Sequence, residues 1–196
     1  AGCGWGRFSW PLLEGDQLAA ANLVCADASL GMVQSARQEG EKRGQHPHFV
    51  TCGIEALPFP TRHFDGVMAN FVLYHVEPLA QGVSELARVL KADGWLLVAA
   101  HGVTSVPVVE LHYQALDRLG IPYTPEAPSG FDLENGAAML AQHFGQIERH
   151  DFIDEEICPS AEAFTQKYLT IGRYQALLGR ADVSAEDKAA LPSLFC

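Results

Sequence analysis

Short apolar runs alternate with amphipathic stretches over the first hundred residues of this 196-residue chain. Each run has the length of a buried strand, and the stretches between them suit helices. Alternation of this kind is typical of βαβ units, which build a mainly parallel sheet with helices on its faces. The predicted strands span residues 22–26, 49–52, 64–70 and 95–100.

A helix is predicted between the third and fourth runs. Its apolar positions recur with the spacing of one helical face, which would cover one side of the sheet. Gly94 is expected to end this segment before the next strand begins. The apolar positions are Leu79, Val83, Leu86, Ala87 and Leu90.

The pattern changes from about Val103. Pro107 predicts the start of a helix that runs to Leu119. Residues 121–130 contain three prolines and predict an irregular loop. An insertion that follows the carboxyl end of a strand is expected to lie over the ligand crevice.

The last third of the chain is predicted to hold helices and edge strands. Asp132 is a candidate N-cap for a helix to Phe144. Alternation over residues 146–157 predicts one or two strands at a sheet edge, which would be antiparallel to the rest. A further helix is predicted over residues 161–178, and the tail after Gly179 is weakly patterned.

Composition favours one globular domain. The chain is 48% hydrophobic and 19% charged, and its formal charge of -11 disfavours binding to nucleic acid. Its five cysteines form an odd set without a C-x-x-C pair, which fits free thiols in a reducing cytoplasm. No apolar run reaches the length of a membrane span, so no membrane partner is predicted, and no metal site is predicted either.

A glycine-rich turn opens the chain at Gly2, Gly4 and Gly6. Without side chains at these positions, backbone N–H groups can approach a polar ligand near a helix N-terminus. The dinucleotide fingerprint G-x-G-x-x-G would need a glycine where Arg7 stands, which weakens a nicotinamide or flavin interpretation.

Asp27 directly follows the first predicted strand, about twenty residues after the glycines. An acid at this place can accept hydrogen bonds from the ribose hydroxyls of a nucleotide. The alternative is a capping role for the helix that begins near Ser29. The spacing from the glycine turn favours the ribose role.

Further motifs follow in a fixed order, and together they resemble the class I methyltransferases, especially the ubiquinone and menaquinone biosynthesis group. The resemblance covers roughly residues 1–102. Members of that group carry motifs that resemble, in chain order, D-x-G-C-G-x-G, G-x-D-x-S-x-x-M-L, G-D-A-E-x-L-P-F-P-D-x-S-F-D and R-V-L-K-P-G-G. The matching segments here are residues 2–6, 27–32, 55–60, 64–65 and 88–94.

The resemblance implies S-adenosyl-L-methionine as the cofactor and a Rossmann-like α/β sheet. The glycines would lie along the methionine and ribose parts, and Asp27 would bind the ribose. Ala28 and Met32 would flank the adenine, Ile54 and Glu55 would lie at its edge, and Asn70 and Phe71 would meet the methionine end. For Met32 the alternative is packing in the helix core.

Two departures from the family pattern matter. The family acid that binds the adenine amino group is replaced by Gly53, so that bond would come from Glu55, from backbone, or be absent. The family's first, central strand lies upstream of Ala1 and is missing from this chain. We therefore expect residues 1–196 not to fold alone, because unpaired strand edges would face each other.

Methyl transfer needs alignment, exclusion of water and at most a base. His75 and His101 are candidate bases near the crevice mouth; the alternative is a histidine bonded to backbone. His112 and Tyr113 are weaker candidates for the acceptor pocket, with core or surface placement favoured. The Asn/Asp-Pro-Pro-Tyr motif of many amino-group methylases is not found after residue 69.

The sequence therefore predicts a single methyltransferase domain that acts on a small-molecule acceptor. Its parts are a cofactor-binding part at 1–102, an insertion at 103–132 and C-terminal helices and edge strands at 133–196. The alternatives are an S-adenosylmethionine-binding module with weak or no catalysis, and an RNA methyltransferase. The acceptor and the oligomeric state cannot be deduced from the sequence.

Overall fold

The computed structural model describes residues 1–15, 18–102, 107–123, 130–152 and 158–195. Among the described residues, four strands lie before residue 100, and α-helices occur along the whole length. The strands are β1 (Val24–Asp27), β2 (His48–Thr51), β3 (Phe64–Asn70) and β4 (Leu90–Ala99). The helices are α1 (Trp10–Glu14), α2 (Leu30–Lys42), α3 (Leu79–Val89), α4 (Pro107–Arg118), α5 (Gly136–Leu140), α6 (Ala161–Tyr168), α7 (Gly172–Leu178) and α8 (Ala185–Ala190).

The chain forms two compact units. The first contains Ala1–Val103 with Pro128–Arg149, and the second contains Thr104–Ala127 with His150–Cys196. The predicted single-domain organisation, with an insertion at 103–132 over the acceptor site, stays a prediction. No helix among the described residues is both long and apolar enough to cross a membrane.

Two parallel strand pairs form the sheets of the first unit. β1 pairs with β2, from Val24 opposite His48 to Asp27 opposite Thr51. β3 pairs with β4, and Asn70 stands opposite Ala99. Because parallel strands place their carboxyl ends at the same edge, Asp27 and the segment after Thr51 lie together, as do Asn70 and the segment after Ala99.

A cavity of about 690 Å³ separates β1 from β3. At one end the two sheets are bridged by the first residues of the chain: the Cys3 N–H donates to the Ala26 carbonyl at 2.9 Å, and the Ala1 nitrogen donates to the Met68 carbonyl at 2.7 Å. These two hydrogen bonds hold the start of the chain against both strand pairs.

Arg88 joins the segments around residues 57 and 88. Its guanidinium donates to the carbonyls of Leu57 at 3.0 Å and Phe59 at 2.8 Å, and it pairs with Glu85 at 2.6 Å. Glu85 in turn accepts the Leu57 N–H at 2.9 Å. The fork-shaped guanidinium thus fixes the loop between β2 and β3 onto α3.

The core of the second unit surrounds Tyr168, which is fully buried. Its hydroxyl lies 2.6 Å from Nδ1 of the buried His112. The aromatic neighbours Tyr174 and Phe195 lie with ring centroids 5.1 and 4.4 Å away. Buried aliphatic residues complete the cluster: Ala115, Leu116, Ile121, Leu177, Val183 and Leu191.

The strand predictions agree with the structure within about two residues, apart from the start of the fourth strand. Gly94 does not separate a helix from that strand: α3 ends at Val89, and β4 begins at once with Leu90 opposite Phe64. Trp95 then pairs with Gly66, so residues 91–94 form an irregularity inside β4. A bulge of this kind tolerates glycine.

The C-terminal predictions are corrected in three places. Asp132 accepts the N–H groups of Glu134 and Asn135, as a cap does, but the helix is only Gly136–Leu140. The helix predicted over 161–178 is two helices, because the chain turns after Tyr168, where the Thr170 hydroxyl bonds the Lys167 carbonyl at 2.7 Å.

The predicted edge strands over 146–157 are the third correction. Residues 146–152 form no strand, and residues 153–157 lie outside the described residues. Ile147 and Phe152 in this segment have exposed side chains. Alternation is a weak signal for a strand, because strand formation depends on the packing and pairing partners that the fold supplies.

Candidate functional site

The glycine turn adopts backbone conformations that favour glycine at all three positions. Gly2, Gly4 and Gly6 have φ of 64°, 53° and 93°. A Cβ at Gly2 would collide with Val72, and one at Gly6 would collide with the Trp10 ring. A Cβ at Gly4 would meet no protein atom within 4 Å, so this glycine faces open space.

The turn is fastened to the end of β1 through Asp27. The Gly4 N–H donates to Asp27 Oδ2 at 2.8 Å, and the Ser29 N–H donates to Oδ1 at 2.9 Å. The Ser29 hydroxyl then caps α2 by accepting the Met32 N–H. Asp27 therefore contributes to the helix entry, as the capping alternative proposed, and also joins that entry to the glycine turn.

Ala28 follows Asp27 directly, and Met32 lies in the first turn of α2. Both are exposed, and Met32 has 45% of its surface accessible. The core-packing alternative for Met32 is therefore wrong. An exposed methionine at the first turn of a helix provides an adaptable apolar surface for a flat ligand.

The segment after β2 brings Ile54 and Glu55 to the same edge. The Cys52 N–H donates to the Asp27 carbonyl at 3.0 Å, which ties this segment to the end of β1. Ile54 is buried in the core of the unit. The Glu55 carboxylate folds back over Gly53, where a Cβ would lie 2.2 Å from Oε1. A carboxylate thus occupies the space where the family acid would project.

Asn70 and Phe71 end β3 on the other side of the cavity. Asn70 Oδ1 is buried and has no hydrogen-bond partner among the described residues. Buried side-chain oxygens normally have a partner, so this atom is available to a ligand donor. Phe71 has φ of 54°, a conformation unusual for a bulky residue, and its N–H donates to the Ala99 carbonyl at 2.8 Å.

An aromatic cluster joins the two candidate histidines. The Phe71 ring stacks on Phe8 at 5.8 Å and contacts the ring of His101 at 4.7 Å. Tyr74 lies 6.4 Å from His101 and 4.4 Å from His75 between ring centroids. Both histidines are exposed, and the burial of the Tyr74 hydroxyl raises its pKa. His101 is thus the histidine beside the methionine-end residues.

The sequence interpretation missed Phe8 and Tyr74 as members of this cluster. Phe8 stands two positions after Gly6, and Tyr74 directly precedes His75. Aromatic residues next to the motifs were the available signal. The weaker candidates His112 and Tyr113 belong to the second unit, where His112 is in the core and Tyr113 stacks on Tyr123 at 4.6 Å.

Comparison with known proteins identifies the class. Residues 1–98 match the methyltransferase domain family. This match covers half of the chain and includes the glycine turn, Asp27, Glu55, Asn70 and the start of the aromatic cluster. The chain belongs to the methyltransferase domain family.

Individual relatives agree with this assignment. The chain is 32% identical over 105 residues to the ubiquinone/menaquinone biosynthesis C-methyltransferase of Hahella chejuensis, over 53% of this chain and 42% of the relative. The structure of the YcgJ protein from Bacillus subtilis is 22% identical with a TM-score of 0.60, over 96% of this chain and 78% of that one. The predicted Rossmann-like class I fold is thereby confirmed.

The same fold also occurs in a protein named for a different reaction. The [4+2]-cyclase SpnF is 20% identical, with a TM-score of 0.61 over 98% of this chain and 66% of that one. The chain spans about half or less of the length of the curated relatives it matches. Activity and substrate therefore depend on arguments from the site itself.

Proposed function

We propose that this protein binds S-adenosyl-L-methionine at the glycine turn and transfers its methyl group to a small-molecule acceptor. The observation that carries the proposal is the contact between Gly4 and Asp27, because it holds bare backbone and a carboxylate side by side at the end of β1. This combination suits a ligand with both a ribose and a charged tail.

The polar groups of the site have capacity left for such a ligand. Each oxygen of Asp27 accepts one N–H within the protein, and a carboxylate offers about four lone-pair sites, so two ribose hydroxyls can still donate. Asn70 Oδ1 is a buried acceptor that would accept a hydrogen bond from the cofactor's ammonium group. The open space at Gly4 has room for the part of the cofactor that joins the ribose to the ammonium group.

The adenine would lie between the exposed Met32 and the segment at Ile54. Glu55 supports this placement, because its carboxylate stands over Gly53 and would accept a hydrogen bond from the adenine amino group. Gly53 makes room for that conformation. The family acid and this glutamate would thus supply the same acceptor from neighbouring positions.

S-adenosylmethionine, when bound, supplies an electrophilic methyl group together with its own leaving group. The chain's residues then have three tasks: to hold the acceptor in line, to exclude water and to remove a proton where the acceptor carries one. We assign the removal of this proton to the imidazole of His101, which lies beside Phe71. His75 is the alternative base.

The acceptor would be small and largely apolar. The rings of Phe8, Phe71 and Tyr74 form a surface that offers stacking contacts to a planar molecule. The net charge of -11 disfavours a nucleic acid acceptor. The Hahella chejuensis relative, named for ubiquinone and menaquinone biosynthesis, is consistent with an acceptor of this kind.

A second candidate is a module that binds S-adenosylmethionine without methyl transfer. The likeness to a protein named as a cyclase favours keeping it, since the fold serves reactions other than methylation. The two candidates share the binding site and differ only in the product.

Calorimetry with S-adenosylhomocysteine and with NAD tests the binding step. We expect saturable binding of S-adenosylhomocysteine and none of NAD. Incubation with methyl-labelled cofactor and a cell extract then tests transfer, with label expected in small, extractable products. Binding without labelled product would favour the module, and binding of NAD alone would contradict both candidates.

A further inference from the structure

Arg7 follows the glycine turn directly, and the proposed methyl transfer assigns no role to it. Its side chain is exposed, and its guanidinium carbon lies 5.6 Å from the centroid of the Phe8 ring. Within the described part of the chain, no carboxylate or carbonyl pairs with this guanidinium. Its N–H donors are therefore available to a ligand. Other basic side chains do have carboxylate partners: Arg43, Arg88, Lys91 and Arg180.

The ring beneath Arg7 belongs to the aromatic cluster of the site. Phe8 stacks on Phe71 at 5.8 Å, and the Phe71 ring lies 4.7 Å from that of His101. These rings are part of the proposed acceptor surface, so Arg7 borders that surface at Phe8 while His101 borders it at Phe71. An acceptor on this surface would have a guanidinium beside it as well as an imidazole.

A second contact between a guanidinium and a ring shows what a purely structural role looks like. Arg37 lies over Phe49 at 5.4 Å. Phe49 is a half-buried residue of β2 that packs against a buried cluster of the first unit, so Arg37 covers a ring of the core. Phe8 is instead 39% exposed and lines the cavity between β1 and β3. Coverage of a core ring therefore accounts for Arg37 but not for Arg7.

The charge around the site makes this cation informative. The chain has a formal charge of -11, and the carboxylates of Asp27 and Glu55 belong to the same candidate site. These charges disfavour an anionic ligand unless a cation offsets them. The planar guanidinium matches a carboxylate with two parallel hydrogen bonds. A carboxylate carries one negative charge and a phosphate monoester nearly two, so the carboxylate is the better match for an acceptor that is otherwise apolar.

We propose that the acceptor is a planar organic acid and that Arg7 binds its carboxylate. This inference rests on the proposed function, because it names the class of acceptor for the same site. The carboxylate would accept hydrogen bonds from the Arg7 guanidinium beside Phe8, while the apolar part of the acceptor lies against the rings. Arg7 is then a specificity-determining residue, because it selects an acid over a neutral molecule of the same shape.

Two pairs of probes that differ in charge test this selection. The acids are para-hydroxybenzoate and the longer para-hydroxycinnamate, and their neutral counterparts are the corresponding amides. Ligand-observed NMR titration measures their affinities for the protein saturated with S-adenosylhomocysteine. We expect at least one acid to bind about tenfold more tightly than its amide, as for charge-assisted hydrogen bonds.

Substitutions of Arg7 should remove this preference. Arg7→Gln is expected to reduce the ratio of the two affinities to about one, and Arg7→Lys to keep part of it, since an ammonium retains the charge without the planar fork. Arg37→Gln is the matched control, because it removes the other guanidinium that lies over a ring, and the ratio should not change. Affinity for S-adenosylhomocysteine should stay within about twofold of the wild type in all these variants.

Equal affinities of acid and amide in both pairs would overturn the proposal, and so would a preference that survives in Arg7→Gln or a lack of binding by every probe. A tenfold loss of S-adenosylhomocysteine affinity in Arg7→Gln would contradict it too, because Arg7 would then hold the carboxylate of the cofactor. Failure of the wild-type protein to bind S-adenosylhomocysteine would instead count against the proposed function. The same probes titrated without the cofactor product still measure the preference at Arg7.

Discussion

The two compact units differ in whether their buried polar groups find hydrogen-bond partners within the protein. In the first, the glycine turn has positive φ at three positions, and the Asn70 side-chain oxygen is buried without a partner among the described residues. In the second, the buried polar groups of His112 and Tyr168 satisfy each other at 2.6 Å. Both regions restrict their sequences strongly, and in the first the Asn70 oxygen stays open to a ligand.

This is the difference that we expect between a ligand site and a core. A core minimises its free energy by pairing every buried polar group, whereas a binding site must leave some donors or acceptors for the ligand. Exposed apolar residues such as Met32 and Trp5 show the same contrast with the enclosed cluster around Tyr168. Substitutions in the two regions should therefore have separable effects on stability and on binding.

Tyr168→Ala is expected to have the largest effect. Removal of a fully buried aromatic side chain costs about 3–5 kcal/mol of unfolding free energy, because it leaves a cavity in the second unit. Urea denaturation followed by circular dichroism measures this loss. Affinity for S-adenosylhomocysteine under native conditions should stay within about twofold, a change near 0.4 kcal/mol.

Tyr168→Phe is the matched control for that core. It keeps the ring and removes the hydroxyl contact to His112, so about 1 kcal/mol should be lost. A large loss of cofactor affinity in either variant, with the protein still folded, would break the proposed separation between the two regions.

His101→Gln tests the assigned base in the first unit. We expect kcat to fall about 100-fold while cofactor affinity is unchanged, as for the loss of a general base. His75→Gln is the matched control, because His75 contacts the same Tyr74 ring but not Phe71. An unchanged kcat in His101→Gln would contradict this assignment. It would mean either that His75 is the base or that the reaction needs no base.

Gly4→Ala and Gly44→Ala form a pair that isolates ligand contact from backbone strain. Both glycines have positive φ, 53° and 64°, and neither has a protein atom within 4 Å of an added Cβ. Each substitution should therefore cost about 1–2 kcal/mol of stability. Only Gly4→Ala should also lower the affinity for S-adenosylhomocysteine, by about tenfold. Equal affinities in the two variants would mean that the turn does not face the cofactor.

Glu55→Gln is expected to have the smallest effect. A neutral amide accepts a weaker hydrogen bond than a carboxylate, so affinity should fall about fivefold, near 1 kcal/mol. Glu41→Gln, an exposed residue of α2, is the control and should change nothing. The comparison is made by calorimetry with S-adenosylhomocysteine. A wild-type affinity in Glu55→Gln would mean that backbone groups alone hold the adenine.

The glycine turn, Asp27 and the strand ends were the features that the sequence predicted best. They could be found because glycines in a turn and an acid at the end of a strand have a recognisable spacing, the one that nucleotide sites use. The position of Glu55 over Gly53 could not be foreseen, since it depends on a side-chain conformation. Nor could the pairing of Phe71 with Phe8, which depends on a positive φ at Phe71.

The second half of the chain was harder to predict because packing constrains it without fixed motifs. At the break between α6 and α7 the N–H groups of Thr170 and Ile171 bond the carbonyls three residues earlier, a tightening of the last turn that apolar periodicity does not reveal. In the first unit, Gly94 was misleading for a related reason: glycine serves both helix ends and strand irregularities.

The affinity of Asp27→Ala for S-adenosylhomocysteine tests the central claim most directly. Asp27 joins the glycine turn to the end of β1 and would hold the ribose, so we expect a loss of about 100-fold or more, near 2.7 kcal/mol. Asp65→Ala, which removes an exposed acid at the start of β3, is the control and should bind as the wild type does. Wild-type affinity in a folded Asp27→Ala variant would contradict the account.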